Sequence, residues 1–149
     1  MPRKNRKKKF YNLSVIDAGA KGKSIAKAPD GKVIFINNAI PGDIIDVQTF
    51  KKRKGFYEGT ATKVHELSKH RINASCDHFG SCGGCKWQNM SYSRQLYYKD
   101  KEVKNNLERV GKLKINNIIP IQESDKIFFY RNKMEFSFSN NRWLTMDEL

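Results

Sequence analysis

Three cysteines lie within ten positions of this 149-residue chain: Cys76, Cys82 and Cys85, in the run CDHFGSCGGCKWQ. The spacing is C-x5-C-x2-C. Thiolates at C-x2-C spacing bind Zn²⁺ or an iron–sulfur cluster, and a closed structural site of either kind uses four protein ligands. Gly80, Gly83 and Gly84 let the backbone curl so that several sulfurs can meet at one point. The fourth ligand falls to His78, His70 or His65, or to a residue outside the chain. Residue types alone leave zinc and iron–sulfur both open. A nucleophilic thiolate would need a neighbouring base. His78 is near Cys76, but three clustered cysteines fit a metal better, and no catalytic residue is assigned. A disulfide framework is not expected, because three cysteines cannot all pair. The opening MPRKNRKKKF lacks the apolar segment of an export signal, which points to a reducing, cytoplasmic compartment.

A second set of residues could bind a polyanion. Lys and Arg number 29 against 15 Asp and Glu, giving a net charge of +14 and a pI of about 9.8. Residues 1–75 hold +11 of that charge and residues 76–149 only +3. A cationic excess concentrated in one half favours nucleic acid, whose affinity is dominated by Lys and Arg contacts to phosphate. The sharpest feature is Lys51, Lys52, Arg53 and Lys54, followed by Gly55, Phe56 and Tyr57. Single-strand-binding barrels combine cations with rings on which bases stack. Alternation along a strand puts Phe56 and Tyr57 on opposite faces, so one of the two belongs to the core. The plain alternative is a solvated hairpin tip. No run approaches the ~18 apolar residues of a membrane span, and no amphipathic helix exposes an apolar face to a lipid surface. Mean hydropathy is −0.72.

The elements that must position these groups can be read from periodicity and turn residues. Residues 1–9 contain Arg3, Lys4, Arg6, Lys7, Lys8 and Lys9 without an acid, the composition of a disordered arm; a nuclear-import signal is the weaker reading of the same pattern. Strands are expected at 10–16, 23–27, 32–36, 44–50 and 56–64. They are separated by Gly19 and Gly22, by Pro29-Asp30-Gly31, by Pro41-Gly42-Asp43 and by the cationic loop. Five short strands in about 60 residues suggest a small OB-like barrel. Tyr92, Leu96, Val103, Leu107 and Val110 recur at helical spacing and are expected to pack into a core. Ser91 or Ser93 would cap that helix, and Gly111 would end it in the left-handed conformation. Strands are expected again at 115–121, 127–130 and 133–139, the last with Met134, Phe136 and Phe138 alternating with polar residues.

These motifs, in this order, resemble the N-terminal third of the bacterial RNA uracil-5-methyltransferases that act on 23S ribosomal RNA. Asn38-Ala39-Ile40-Pro41-Gly42-Asp43 is similar to a turn of their TRAM domain, a small OB-like RNA-binding barrel. Cys76–Gln88 resembles their iron–sulfur signature C-x5-C-G-G-C-x-x-Q, and YSRQLYYK (92–99) the segment after it. Tyr130-Arg131-Asn132-Lys133-Met134-Glu135-Phe136 is similar to a strand of their central domain. The resemblance implies a [4Fe–4S] cluster rather than zinc, with Cys76, Cys82 and Cys85 as three of its ligands and the fourth outside this chain. It also implies that Arg131 and Lys133 face the RNA. The family's S-adenosyl-L-methionine-binding domain, its nucleophilic cysteine (which attacks C6 of a flipped uracil) and its general base find no match among these residues. The expected organisation is a basic arm (1–9), a TRAM domain (10–69), a cysteine-rich loop with a helix (70–110) and the start of an α+β central domain (111–149). The expected fold is mainly β with one helix. The expected state is a monomeric segment that binds 23S rRNA but no membrane, and is inactive without the catalytic domain. A free-standing RNA-binding barrel with a zinc-stabilised extension is the alternative.

Overall fold

The computed structural model describes every residue except 1–6, 134, 137, 143 and 145–149. Six strands form one curled sheet: β1 (Lys9–Ser14), β2 (Asp17–Ala18), β3 (Ser24–Lys27), β4 (Val33–Asn37), β5 (Ile44–Lys52) and β6 (Phe56–Glu66). Their order across the sheet is β1-β5-β6-β4-β3-β2. The two edge strands are thus consecutive in the chain and separated only by Val15 and Ile16. One bent strand serves both ends of the sheet. At the bend, Ile16 N–H donates to the Ile25 carbonyl at 2.8 Å and Val15 N–H to the Asp43 carbonyl at 2.9 Å. This is the five-stranded OB-like barrel expected from the sequence, with its first strand broken in two. Only β4 and β6 run parallel.

Alternation decides which side chains fill the barrel. Along β4, Ile34 and Ile36 are fully buried, while Val33, Phe35 and Asn37 are half-buried on the outer face. Along β5, Ile45 and Val47 point inward. These residues pack with Val15, Ala26, Ala28, Ala39 and Tyr57 into one apolar cluster. Burying each large aliphatic side chain contributes roughly 1.5–3 kcal/mol. The arm departs from expectation at its end. Lys8 exchanges backbone and side-chain hydrogen bonds with Thr49 at 2.8–3.0 Å, and Lys9 opens β1, so both belong to the sheet. Arg3, Lys4 and Arg6 lie outside the described residues.

Helix α1 (Tyr92–Asn105) continues into one π-helical turn over Asn106–Val110. Its docked face is not the apolar stripe. Tyr98 is its buried residue and packs with Trp87, Met90, Ile40 and Ala18 in a second cluster that joins helix, loop and barrel. Gln95 donates to the carbonyls of Trp87 (3.0 Å) and Met90 (2.8 Å), and Lys101 pairs with Asp17 of β2 at 2.7 Å. Val103 and Val110 are 53% and 78% exposed. The aromatic and polar face won because it alone combines ring burial with hydrogen bonds to the loop. Ser91 occupies the N-cap position, yet its hydroxyl makes no cap bond. Gly111 has φ −72°, and Lys112 instead takes the left-handed conformation at φ 56°, because the π-turn shifts the helix end by a residue. Asp100 and Lys104 form the expected i,i+4 pair at 2.7 Å.

Beyond Gly111 the described residues are irregular and form no sheet ladder, so the strands expected at 115–121 and 127–130 are not formed, and the described residues of 133–139 join none. A strand needs a neighbour to take its backbone hydrogen bonds, and alternation alone supplies none. Met134 and Ser137 of the last run lie outside the described residues; Phe136 and Phe138 are 72% and 96% exposed.

The joint between barrel and loop is built on one carboxylate. Asp43 is fully buried. It accepts from Ile40 N–H (2.8 Å), from Ser68 N–H (3.0 Å) and from Nε and Nη2 of Arg71, the Nε bond being 3.2 Å. Gly42, beside it, has φ 96°, and a Cβ there would meet Ser68 Oγ at 2.7 Å, so glycine is required on both counts. Removing one partner of a buried ion pair costs about 3–5 kcal/mol, and orphaned N–H groups add to that. Asp43→Ala should therefore lower the unfolding free energy by about 3 kcal/mol or more in urea titrations. A loss below about 1 kcal/mol would remove the joint's structural role.

Candidate nucleic-acid interface

The β5–β6 hairpin is tighter than its sequence suggests. Arg53 N–H donates to the Phe56 carbonyl at 2.8 Å and closes the tip. Lys51 and Lys52 therefore lie in β5, opposite Glu58 and Tyr57. Glu58 sits between two cations, Lys23 Nζ at 2.6 Å and Lys51 Nζ at 3.4 Å. The Lys23 hydrogen bond is the main reason its carboxyl is held below the usual range, with the charges of Lys23 and Lys51 assisting. Among the described residues, Lys52, Arg53 and Lys54 form no ion pair and are exposed. Three of the four predicted cations are thus available to phosphate, and Lys51 is half neutralised.

Two cations that the sequence keeps far apart join this end of the barrel. Lys8 and Lys32 each place Nζ 5.7 Å from the centroid of the Tyr57 ring. Lys52 is the register partner of the same tyrosine. The basic arm, the β3–β4 turn and the hairpin therefore meet around one residue. Charge runs along the sequence show none of this; the sheet order does.

Tyr57 itself is corrected as a candidate base-stacking residue. It is 1% exposed, its ring packs 5.3 Å from Phe10, and its hydroxyl donates to Asp30 at 2.7 Å. That hydroxyl is the main reason the Asp30 carboxyl is lowered to about 2; Lys32, 3.2 Å away, adds to it. Phe56 is the accessible partner of the pair. It stands on the outer face, half-buried, edge-on to Phe35 at 5.4 Å. Phe35 was read from sequence only as part of a strand; its outward alternation was the available signal.

The cysteine loop is anchored at its roots and open at its tip. Arg71 pairs with Met90, Ile72 N–H donates to the Asn89 carbonyl at 3.0 Å, and Ser91 N–H to the His70 carbonyl at 2.9 Å. Gly22 of the barrel approaches this loop closely: at φ 69°, a Cβ there would meet Lys86 Cβ at 2.4 Å. Cys76, Cys82 and Cys85 are exposed free thiols. Gly84 N–H lies 3.3 Å from Cys82 Sγ, and Gln88 accepts from Cys76 N–H at 3.0 Å. The donor set suits a soft metal centre by its chemistry. Its geometry does not yet do so: among the described residues no three His, Cys, Asp or Glu side chains gather where they could hold a metal ion. Of the histidines considered as fourth ligands, His65 is engaged elsewhere and His70 faces a separate cleft. His65 Nε2 lies 2.8 Å from Asp46 on the barrel. His70 lines a cleft of about 530 Å³ with Lys69 and Arg94. Burial first, and then those two cations, lower its pKa. Arg131 and Lys133 lie in the irregular segment, where Arg131 Nε donates to the Lys133 carbonyl at 2.9 Å and Lys133 faces Glu135 at 3.6 Å.

Comparison with known proteins gives this barrel its family. Residues 8–62 match the TRAM domain. The chain carries a TRAM domain and is similar to proteins named RNA methyltransferases. A Bacteroides thetaiotaomicron protein named an uncharacterized RNA methyltransferase is 52% identical over 130 residues, 87% of this chain and 28% of the relative. A Porphyromonas gingivalis protein of the same name is 39% identical over 92% of this chain and 29% of its own length. The 23S rRNA (uracil(1939)-C(5))-methyltransferase RlmD of Acidovorax is 32% identical over 87% of this chain and 27% of its own length. The chain thus spans less than a third of these relatives. No helix among the described residues is long and apolar enough to cross a membrane.

The Tyr57–Asp30 contact makes a pH-dependent contribution to the stability of the TRAM barrel. A carboxyl whose folded pKa is depressed stabilises the fold fully above its unfolded value near 4. That contribution is lost as pH falls through about 2. In a carbon-detected NMR titration, Tyr57→Phe should move the Asp30 pKa up toward its ordinary 3.8; an unmoved value would reassign the cause.

Proposed function

We propose that this chain is the RNA-docking segment of an S-adenosyl-L-methionine-dependent RNA uracil-5-methyltransferase that acts on 23S rRNA in the cytoplasm. The observation that carries the reading is the cationic end of the TRAM barrel, formed by Lys8, Lys32, Lys52, Arg53 and Lys54. Exposed cations at one end of a small barrel contact phosphates, which fix position and orientation without reading sequence. Phe56, with Phe35 at its edge, offers a ring to an unpaired base beside them. Lys51 contributes through a charge shared with Glu58, and Tyr57 supports the site from within the core. Arg131 and Lys133, on the segment after the helix, are proposed as further RNA contacts from the resemblance alone. No residue of this chain is assigned to methyl transfer, so the chain alone is expected to be an inactive, monomeric RNA binder. The substrate uridine and the 23S assignment rest on likeness to the RlmD relative.

Affinity for RNA should fall steeply with salt, because each phosphate contact releases counterions. Replacing Lys51, Lys52, Arg53 and Lys54 together by Gln should weaken binding to unrelated RNA sequences by a similar factor. It should also flatten the slope of log affinity against log salt by about 3, since Lys51 is already paired. Filter-binding or anisotropy titrations read both quantities. An unchanged slope would return the hairpin to a solvated tip.

Cys76, Cys82 and Cys85 are proposed as three ligands of a [4Fe–4S] cluster, with the fourth ligand supplied from outside this chain. What supports this is the donor chemistry of three exposed thiols on a glycine-rich loop whose roots are fixed. Bound there, a cluster would cross-link the tip of the loop. Chain purified without oxygen should contain iron and inorganic sulfide in equal amounts, and Cys82→Ser should lose both. Zinc without iron would favour the zinc-stabilised alternative.

A further inference from the structure

We propose that the cleft between the barrel and the cysteine loop receives one unpaired nucleobase of the bound RNA; this rests on the RNA-binding reading above. The cleft measures about 390 Å³, and its lining includes Asn38, Asn73, Asn89, Arg71 and Phe79. That volume lies at the small end of ligand sites. Asn89 is 7% exposed, and its carboxamide oxygen has no hydrogen-bond partner. Its backbone is held firmly: its carbonyl accepts from Ile72 at 3.0 Å, and Met90 next to it pairs with Arg71. Buried side-chain polar atoms are nearly always bonded, and an orphan costs about 1–3 kcal/mol. A fixed, buried, unpartnered carboxamide lining a cleft is the arrangement of a site awaiting a ligand with hydrogen-bonding edges.

The chemistry of the lining selects the ligand. Three carboxamides, Asn38, Asn73 and Asn89, line the cleft, and a carboxamide carries both the donors and the acceptor that pair with the edge of a nucleobase. Phe79 adds a half-buried ring for stacking. Arg71 brings a guanidinium, but its Nε and Nη2 are bound by Asp43, so the charge is balanced in place. No carboxylate lines the cleft. The result is a polar, nearly neutral pocket that suits a base rather than a phosphate. The neighbouring cleft with Lys69, His70 and Arg94 has the opposite character. The two clefts flank one linker, residues 68–74, so a strand crossing it would meet cations on one side and amides on the other.

The test compares a short single-stranded oligoribonucleotide with its abasic counterpart, each titrated against the full chain and its variants. The base-bearing strand should bind more tightly than the abasic one. Asn89→Ala should weaken the base-bearing strand about tenfold, as expected for loss of one paired edge contact, and leave the abasic strand unchanged. Phe79→Ala should do the same through lost stacking. Asn89→Ala deletes an unsatisfied group and should keep its thermal midpoint. If it does not fold, Asn73→Ala at an exposed rim position supplies the same comparison. Equal binding of the two strands, or equal weakening of both by these variants, overturns the cleft while leaving the cationic surface standing. Binding of neither strand overturns the RNA reading itself, and this inference with it.

Discussion

The Asp43 carboxylate takes hydrogen bonds from the turn that ends at it, from Ser68 after β6 and from Arg71 at the root of the cysteine loop. A charge with no exposure is tolerated only when its acceptor capacity is filled by well-placed donors. Here the four donors come from segments up to 28 residues away in sequence. Satisfying Asp43 therefore fixes where the chain leaves the barrel and the direction in which the next segment starts. The bend at Val15 is tied to the same residue, since Val15 N–H donates to the Asp43 carbonyl. Barrel closure and loop placement share one pivot.

From that pivot follows the distribution of charge. The barrel carries its loosely held cations at the hairpin and around Tyr57. The linker carries Lys69, His70 and Arg71 past the pivot toward the loop. Left free, Glu58 and Asp30 would oppose an anion-binding role, but each is already committed. Glu58 holds Lys23 and Lys51, and Asp30 holds Tyr57 and Lys32. Acids spent on orienting neighbouring cations do not repel a phosphate as free ones would, because the field seen from solvent is that of the pair.

Much of the barrel was legible in the sequence because its signals are local. Pro-Asp-Gly and Pro-Gly-Asp turns, β-branched runs and strict alternation each act within a few residues. What could not be read was set by partners distant in the chain. The stripe of Tyr92, Leu96, Val103, Leu107 and Val110 is a correct helix signal, but periodicity does not say which face is docked. Tyr98, Gln95 and Lys101 dock because Trp87, Met90 and Asp17 are there to receive them. In the same way, alternation after Gly111 describes side chains that suit a sheet, while a sheet needs a neighbour. The hairpin tip was placed two residues early because Lys51 and Lys52 carry the composition of a loop, yet they pair with Glu58 and Tyr57. Asp43 read as an ordinary turn acid; its burial depends on Arg71, which no spacing rule connects to it.

The cysteine loop shows how little has to be rigid for a site to be prepared. Its roots are joined by the Arg71–Met90 bridge, by Ile72 to Asn89 and by Ser91 to His70, and Trp87 and Met90 are buried against Ile40 and Tyr98. The sulfurs themselves stay in solvent. Most of the entropy of bringing the loop's ends together is thus already lost on folding. Gathering the thiols then costs only the ordering of a short segment, and closure entropy varies only slowly with segment length. Cys76 is further restrained through Gln88, and Cys82 through Gly84. The loop thus combines fixed ends with an exposed, glycine-rich tip, in which Gly84 N–H already points at the Cys82 sulfur.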